Sequence, residues 1–480
     1  METFSSRPSC LLVLLFIGYT LLSLARRALQ DVHSILISKD DDFLSTSDLG
    51  MFLSAQTIGY TLTKLLSGIA MDRVNPIRAY IITHWMTSVT LFAMAVSRNW
   101  YNWLCWSTLN GLFLGVSWPA IGKILRVSVP SNELATWWGV ISMSINLAGA
   151  TGPWIALTLN KFTLYWVDEG NSWKVLLCVV GSMCFLLGTV LAFYPQSWIH
   201  KSSPKCTETH SSDRSSADTS DEQKTLKSDV ADNRGEASST VHRRVGGDPT
   251  EVVDKESSKK VVDKPCNLRI QVCELLHALG KPRLQLLCCS ATVHLSSTFI
   301  RFAVSNWFII MLTRYPKLYS VASANSFVTV FELGGILGNV LGGYLSDRTV
   351  TKGPSYHARV PYIVFQMLFA SVLLGTLSYF IPVGLSPWLF LFFGLCLGIT
   401  VFGTISLCGV LAVEVAPSTL SGTSHAFSAF LANVGAILAC SPLSLLSTYL
   451  DWPGAFLAAS LLSGLSVIPL SLITRHQHTD

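Results

Sequence analysis

The chain has 480 residues, of which half are hydrophobic and only 13% are charged, and its net charge is +5. Soluble domains carry about twice that charged fraction, so the composition excludes an ordinary soluble domain. No interleaving of basic and aromatic residues accompanies the small positive charge, which argues against a nucleic-acid partner. Apolar runs of about 20 residues recur along the chain, as they do in membrane spans. The sequence therefore predicts a polytopic membrane protein.

Twelve apolar segments are predicted to be membrane-spanning helices. A lipid-exposed backbone must satisfy its own hydrogen bonds, and the runs are too uniformly apolar for the alternating strands of a barrel. The first segment, CLLVLLFIGYTLLSL, could be a signal peptide, but Arg26 and Arg27 follow it without a clear cleavage site, so we interpret it as a span. The predicted helices cover residues 10–30, 47–70, 77–97, 101–126, 136–160, 174–195, 284–312, 319–346, 361–381, 387–412, 421–447 and 453–473.

A polar segment divides six helices from six. Its Ser, Asp, Lys and Thr residues cannot bury enough apolar area to offset chain entropy, so we predict a largely disordered cytosolic linker. Its last part, NLRIQVCELLHALGKPRL, has apolar residues at helical spacing and is predicted to form an amphipathic helix on the membrane surface. The predicted organisation is a six-helix bundle at 1–196, the linker at 197–283 and a second six-helix bundle at 284–480.

One short turn occurs twice, as SGIAMDR after the second helix and as GGYLSDR after the eighth. Equivalent positions in two halves indicate parallel six-helix repeats, which is the arrangement of the major facilitator fold. We expect the glycine to let two helix ends approach closely and the Asp-Arg pair to form a cytosolic latch between helices. The alternative is that each Asp-Arg pair only caps a helix. The predicted latch residues are Gly68, Asp72, Arg73, Gly343, Asp347 and Arg348.

Basic residues cluster in alternate loops and throughout the linker, whereas the first intervening loop, KDDDFLSTSDL, is acidic. Because Lys and Arg mark the cytosolic side of a membrane protein, this pattern predicts that both termini and the linker face the cytosol.

Basic side chains inside the spans are the main candidates for function, because a charge is costly in hydrocarbon. Arg26 lies in the first helix and Arg301 in the seventh, which correspond in a two-repeat architecture, and Lys64 lies in the second. Two guanidinium groups that face each other suit a phosphate dianion, since each offers paired donors in a planar fork. The pattern predicts a phosphate or organophosphate ligand.

Alternatives remain for each of these bases. Arg301 could pair with Glu332, the one clear acid in the middle of a span, and Lys64 could extend towards the cytosol instead. Arg27 is about 100° around the helix from Arg26, which favours a structural or interfacial role as much as a ligand role. His84 and His294 belong to no motif and are interpreted as structural.

Several segments resemble the organophosphate:phosphate antiporters of the major facilitator superfamily, and in particular their endoplasmic-reticulum glucose-6-phosphate branch. They are GYTLTKLLSGIAMDR, LNGLFLGVSWPAIGKILR, ELATWWGVISMSINLAGATGP, FELGGILGNVLGGYLSDR and CGVLAVEVAPSTLSGTSHAFSAFLANVGA. The resemblance covers essentially all the spans but not the linker. By position it implies a substrate site formed by Arg26, Lys64, Tyr60, Trp118, Asn146, Arg301, Trp307 and His425. For His425 alone, a structural hydrogen bond to a neighbouring helix is an equally good interpretation.

The resemblance also implies the function: exchange of glucose 6-phosphate, or a related sugar phosphate, for inorganic phosphate by alternating access in the endoplasmic reticulum membrane. It further implies functional coupling to a lumenal phosphatase. The alternatives are a proton-coupled organic anion symporter and a non-transporting sugar-phosphate sensor. The sequence has no nucleophile elbow, zinc motif or P-loop, and its twelve cysteines lack metal-like spacing, so we predict neither an enzyme nor a cofactor or metal site.

Overall fold

The structure is a computed structural model, which describes residues 6–37, 45–71, 74–97, 99–129, 134–163, 171–193, 268–315, 317–349, 355–417 and 420–476. Within these ranges the regular structure is entirely helical. The helices are α1 (Ser6–Ile37), α2 (Thr46–Ala70), α3 (Pro76–Val96), α4 (Trp100–Gly115), α5 (Ser117–Ser128), α6 (Leu134–Thr163), α7 (Ser172–Phe193), α8 (Leu268–Thr313), α9 (Val321–Thr349), α10 (Ser355–Phe380), α11 (Pro387–Val415), α12 (Ser421–Leu438), α13 (Ser441–Leu465) and α14 (Ile468–His476).

Prolines explain why these fourteen segments make twelve crossings. A proline lacks an amide donor and its ring clashes with the carbonyl four residues earlier, so a helix breaks just before it. Pro119 accounts for the break between α4 and α5, and Pro442 for the break between α12 and α13. Within α13, Asp451 has φ of 56° immediately before Trp452 and Pro453, which separates the eleventh crossing from the twelfth. The predicted helix over 421–447 is thus interrupted after Leu438.

Nine stretches of the described residues are long and apolar enough to cross a membrane by length and composition. The crossings outside that set are α2, which carries Lys64 among many Ser and Thr residues, and the interrupted segments α4 with α5 and α12. The chain is a multi-span integral membrane protein.

The packing repeats between the N-terminal half, α1–α7, and the C-terminal half, α8–α14. In the first half α2 packs on α4, α3 on α7 and α1 on α6. In the second half the corresponding helices pair in the same way, with α9 on α11, α10 on α13 and α8 on α12. The two parallel six-helix repeats predicted from the duplicated turn are therefore confirmed.

Glycines allow the closest of these contacts. A Cβ atom on Gly111 of α4 would overlap the carbonyl group of Gln56 on α2, and a Cβ atom on Gly398 of α11 would overlap the carbonyl group of Phe331 on α9. These two pairs occupy corresponding positions in the two halves, where only a residue without a side chain lets the backbones approach.

The helix predicted at the end of the linker is present as the first part of α8. It extends from Leu268 to Gly280, where φ is +65° and the direction of the chain changes before Pro282. Leu275 and Leu279 are buried, whereas Glu274 and His277 are exposed, which is the expected amphipathic pattern. The predicted disorder of the preceding linker residues, 197–267, lies outside the described residues.

Candidate functional site: a cavity between the two halves

A cavity of about 880 Å³ lies between the two halves. Its lining residues on α1 extend from Tyr19 to Gln30, those on α6 from Trp138 to Gly149, and those on α12 from His425 to Asn433. These helices all begin on the side of the membrane where α7 ends, which we call the linker side. Because the lining on α6 and α12 belongs to their first and middle turns, the cavity opens on the linker side.

The opposite side, which we call the far side, is closed by hydrogen bonds between the halves. Trp154 on α6 donates its indole N–H to Thr329 Oγ1 on α9 at 2.9 Å, and Thr329 donates to the carbonyl oxygen of Ala150 at 2.8 Å. At the corresponding contact between α2 and α13, the amide of Ser441 donates to Ser54 Oγ at 2.9 Å. These contacts between the halves are short hydrogen bonds between uncharged groups.

Arg26 and Arg301 both line the middle of this cavity, one from each half. The Arg26 guanidinium carbon is 4.2 Å from the ring centroid of Tyr60 and 5.0 Å from that of Phe302. The Arg301 guanidinium carbon is 5.5 Å from the same Phe302 ring and 4.6 Å from that of Phe402. Phe302 therefore lies between the two cations, whose planar faces rest on aromatic rings while their N–H edges stay open to the cavity.

No described residue accepts a hydrogen bond from either guanidinium. Arg301 makes no direct ion pair with Glu332 within the described residues, although the carboxyl group lies close enough to interact with Arg301 electrostatically. Glu332 instead accepts a hydrogen bond at Oε1 from Ser305 Oγ at 3.0 Å, and its Oε2 has no partner in the described part of the chain. Both arginines therefore keep their donors for a ligand.

Lys64 also lines the cavity, and its ammonium lies 5.4 Å from the centroid of the Tyr60 ring. Tyr60 thus lies under both Arg26 and Lys64. The alternative in which Lys64 extends away towards the cytosol does not match this position.

Arg27 has a different environment from Arg26. Its Nε is 3.2 Å from Asp31 Oδ1, one turn along α1, and both side chains are buried. Gly152 of α6 packs against this ion pair. This supports the structural interpretation of Arg27, and it adds Asp31 as a buried acid near the end of the first span.

Trp118, Asn146 and His425 also line the cavity, as the resemblance implied for the candidate site. Trp307 does not. Its ring is fully buried against Trp452, with centroids 5.1 Å apart, and its indole N–H donates to the carbonyl oxygen of Ala439 at 2.7 Å. The placement of Trp307 in the substrate site is therefore wrong, because that face of α8 turns towards the core of the C-terminal half.

His294 is a cavity residue that the sequence interpretation missed. It lies seven residues, or two helical turns, before Arg301, so both occupy one face of α8. That spacing was a signal available in the sequence. His84, in contrast, is buried in α3 with Nδ1 on the carbonyl oxygen of Tyr80 at 2.9 Å, which agrees with a structural role.

The predicted latch falls mostly on residues that the structure does not describe. Asp72 and Arg73 lie outside the described residues, and so do the surroundings of Gly68 and the side chain of Asp347. Among the rest, the Arg348 guanidinium lies 4.5 Å from the ring centroid of Tyr344, its own helical neighbour. A Cβ atom on Gly343 would meet no described atom within 4 Å, so the described residues show no close approach of a second helix at Gly343. The latch itself stays a prediction.

The linker-side end of α9 is held by residues that the duplicated motif does not contain. Arg359 of α10 donates to both carboxylate oxygens of Glu414 on α11, at 2.9 and 2.8 Å, and to Ser346 Oγ at 2.6 Å. This paired geometry joins three helices of the C-terminal half. In the N-terminal half, Lys123 donates to the carbonyl oxygen of Met71 at the end of α2.

No group of side chains that could hold a metal ion occurs among the described residues. A cavity that lies between two six-helix repeats, is open on one side and is lined by cations from both repeats is the arrangement found in membrane carriers built from two repeats. A family model described as Major Facilitator Superfamily matches residues 9–440 of the chain. The chain belongs to this superfamily, as the fold prediction expected, and it is a carrier-family protein rather than an enzyme.

Curated relatives confirm the predicted resemblance at the level of the organophosphate:phosphate antiporter group. The probable hexose phosphate transport protein of Chlamydia trachomatis is 25% identical over 449 residues, covering 92% of this chain and 86% of its own length. The membrane sensor protein UhpC of Escherichia coli is 23% identical, with 96% and 90% covered. The glycerol-3-phosphate transporter of Bacillus subtilis is 21% identical, with 92% and 87% covered.

A solved structure shares the fold. It is the bacterial homolog of the human lysosomal transporter Spinster in an inward-facing and unoccupied conformation, with a TM-score of 0.62 and 13% identity, covering 98% of this chain and 96% of that chain.

Proposed function

We propose that this protein exchanges a sugar phosphate, with glucose 6-phosphate as the leading candidate, for inorganic phosphate. The observation that carries this proposal is the pair of guanidinium groups, Arg26 and Arg301, that face one cavity from opposite halves without a protein acceptor among the described residues. Two such forks provide the charge and the donor geometry that a phosphoryl dianion requires. The relatives named for hexose phosphate and glycerol 3-phosphate support this ligand class.

The charge pair also gives a reason for obligatory exchange. In the empty cavity the two cations repel each other, and neither has a carboxylate partner among the described residues. A bound phosphoryl dianion neutralises both cations and draws the halves together. The loaded carrier therefore rocks between its two open states more readily than the empty one, about a site that stays between the repeats. Phosphate carried in one direction brings the binding site back to the side of the membrane from which sugar phosphate is carried in the other direction.

Counterflow tests the exchange directly. Purified protein in liposomes preloaded with phosphate should take up labelled glucose 6-phosphate much faster than the same liposomes left empty. Equal uptake into loaded and empty liposomes would contradict exchange. Phosphate self-exchange without any sugar-phosphate uptake would retain the cation pair as the anion site but reject the sugar.

A sugar-phosphate sensor is the second candidate, and the similarity to UhpC, which is named a membrane sensor protein, favours it. A sensor would bind glucose 6-phosphate without moving it. Binding by the purified protein, measured by calorimetry, together with no counterflow at saturating ligand would establish the sensor and reject the carrier.

Proton-coupled symport needs an acid that titrates near the ligand, and Glu332 and Asp31 are the buried acids of the described spans closest to the arginines. An imposed pH gradient should not drive uptake into phosphate-free liposomes if exchange is the mechanism. Uptake that follows the pH gradient and is lost in Glu332→Gln would favour symport instead, because Gln keeps the hydrogen bond to Ser305 but cannot titrate.

Lys64→Gln should weaken transport of both ligands without abolishing it. Lys64 adds a third positive charge beside Tyr60 but is not part of the arginine pair, so we expect the half-saturating concentrations of phosphate and glucose 6-phosphate to rise together by about tenfold. Lys174→Gln is the matched control, because Lys174 rests on Trp173 at the far-side end of α7, outside the cavity. Unchanged half-saturation in Lys64→Gln would remove Lys64 from the site.

The proposed compartment is the endoplasmic reticulum membrane, with both termini and the linker in the cytosol, so that the open cavity faces the cytosol. The basic loops support the orientation. The compartment and the functional coupling to a lumenal phosphatase rest on the sequence resemblance. Protease protection of a tag on each terminus in sealed microsomes would test the orientation.

A further inference from the structure

We propose that His294 and His425, opposite an aromatic wall on the N-terminal half, form a hexose subsite that is separate from the phosphate site at the two arginines. The inference rests on the proposed function, because it concerns the part of the same substrate that extends from the phosphate towards the open side of the cavity.

The two histidines lie nearer the open side than the arginines. His294 precedes Arg301 by two turns on α8, which places it roughly 10 Å closer to the linker side at 1.5 Å per residue. His425 lies one turn from the linker-side beginning of α12. Both line the cavity. A hexose phosphate whose phosphoryl group is held by the arginines must extend in this direction, because the far side is closed.

The hydrogen bonds of the histidines suit hydroxyl groups better than phosphate. Nδ1 of His425 faces the carbonyl oxygen of Gly409 at 3.3 Å, and since a carbonyl can only accept, that nitrogen carries the hydrogen. Nε2 of the neutral ring is then an acceptor and needs a donor. A sugar hydroxyl provides one, whereas a phosphate dianion does not. Nδ1 of His294 is hydrogen-bonded to Ser428 Oγ at 2.9 Å, and a hydroxyl group can donate or accept, so Nε2 of His294 remains for either a donor or an acceptor of a sugar hydroxyl.

An aromatic wall lies across the cavity on the N-terminal half. Tyr19, Trp118 and Trp138 form a continuous row, with centroid distances of 5.1 Å between the first two and 4.8 Å between the last two. Gly115 packs against the backbone at Tyr60 and Lys64, so Trp118, the middle ring of the row, lies near the level of Lys64. Trp138, which is 37% exposed, continues the wall towards the open side. Such rings offer flat apolar faces to the C–H groups of a pyranose, while its hydroxyls turn to the histidines.

The test compares two transport reactions of the same variants: uptake of glucose 6-phosphate and uptake of phosphate, each against internal phosphate. In His425→Asn and His294→Asn the side-chain amide lies near the former Nδ1 position, and no polar atom remains at the Nε2 position. The matched Gln variants are controls, because their longer side chain places the amide near the former Nε2 position. We expect each Asn variant to raise half-saturation for glucose 6-phosphate about fivefold, the value for one lost hydrogen bond. Phosphate self-exchange should change by less than about twofold, which also shows that the variants fold.

Variants of Trp138 test the hexose subsite independently of the histidines in the same two transport reactions. Trp138→Ala should raise half-saturation for glucose 6-phosphate about threefold to tenfold while Trp138→Phe, which keeps an aromatic face, changes it little. If the Asn and Ala variants shift both substrates equally, or shift neither, the hexose subsite is wrong while the exchange function stands. A wild-type protein that exchanges phosphate but carries no sugar phosphate would overturn both the subsite and the sugar-phosphate function.

Discussion

Arg301→Ala should abolish every exchange reaction, including phosphate self-exchange, and Arg26→Ala should do the same. Each substitution leaves the other guanidinium without a partner and half of the bound dianion without donors, a loss of about 3–5 kcal/mol for breaking a buried charge pair. That loss corresponds to roughly a 100- to 5000-fold fall in transport efficiency. The measurement is uptake of labelled phosphate and of labelled glucose 6-phosphate into phosphate-loaded liposomes.

Conservative variants separate charge from geometry at the same positions. Arg301→Lys keeps the charge but loses the planar fork and its contact with the ring of Phe402, so we expect it to retain a small part of the phosphate exchange. Arg314→Ala is a control, since Arg314 follows the end of α8 and lies outside the cavity between the halves. Robust phosphate exchange by a well-expressed Arg26→Ala or Arg301→Ala protein would remove that residue from the anion site.

Gly398→Ala and Gly111→Ala should strongly destabilise the protein. Alanine is intrinsically better than glycine in a helix by about 1 kcal/mol. At both positions, however, the new methyl group would overlap a backbone carbonyl of the adjacent helix, and overpacking typically costs about 1–3 kcal/mol even where side chains can move. Because backbone must shift here, the packing cost exceeds the propensity gain. We expect a marked fall in the thermal midpoint of the detergent-solubilised protein.

Gly343→Ala is the matched control for these two substitutions. It lies in α9, like the Phe331 that Gly398 contacts, but a Cβ atom there meets no described atom within 4 Å. The higher helix propensity of alanine should therefore be the larger effect at this position, so that the thermal midpoint stays the same or rises slightly. A destabilised Gly343→Ala protein would indicate that a segment outside the described residues packs there and would restore the predicted close approach at the latch.

The number and type of the spans could be predicted from the sequence because a long apolar run in a membrane satisfies its own backbone hydrogen bonds only as an α-helix. The breaks inside them could not be placed as well. Pro442 interrupts the predicted eleventh helix and shifts the chain into α13, and only the packing of the surrounding helices determines whether a proline kinks a span or ends it.

The site was partly predictable for a similar reason. Arg26, Lys64 and Arg301 stand out in sequence because a charge inside a span is rare, and all three line the cavity. Trp307 could not be placed that way, because an aromatic residue costs little on either face of a helix and only the rotation of α8 decides that its ring turns into the core. His294 lies on the cavity face, and its spacing of two turns from Arg301 was the signal that the sequence interpretation did not use.

The sequence by itself determined a helical membrane protein with two repeats and intramembrane cations, because hydrophobic length, duplicated turns and isolated charges are properties of the chain. The tertiary structure alone decided which partners those charges have. Arg27, at the edge of the cavity, forms an ion pair with Asp31 one turn along α1, whereas Arg26, the preceding residue, points about 100° away and faces Arg301 of the other half. The packing of the helices gives the two adjacent arginines different roles: Arg27 is structural, whereas Arg26 is a candidate phosphate-binding residue. Residue spacing within one helix does not provide the distances between helices on which this difference depends.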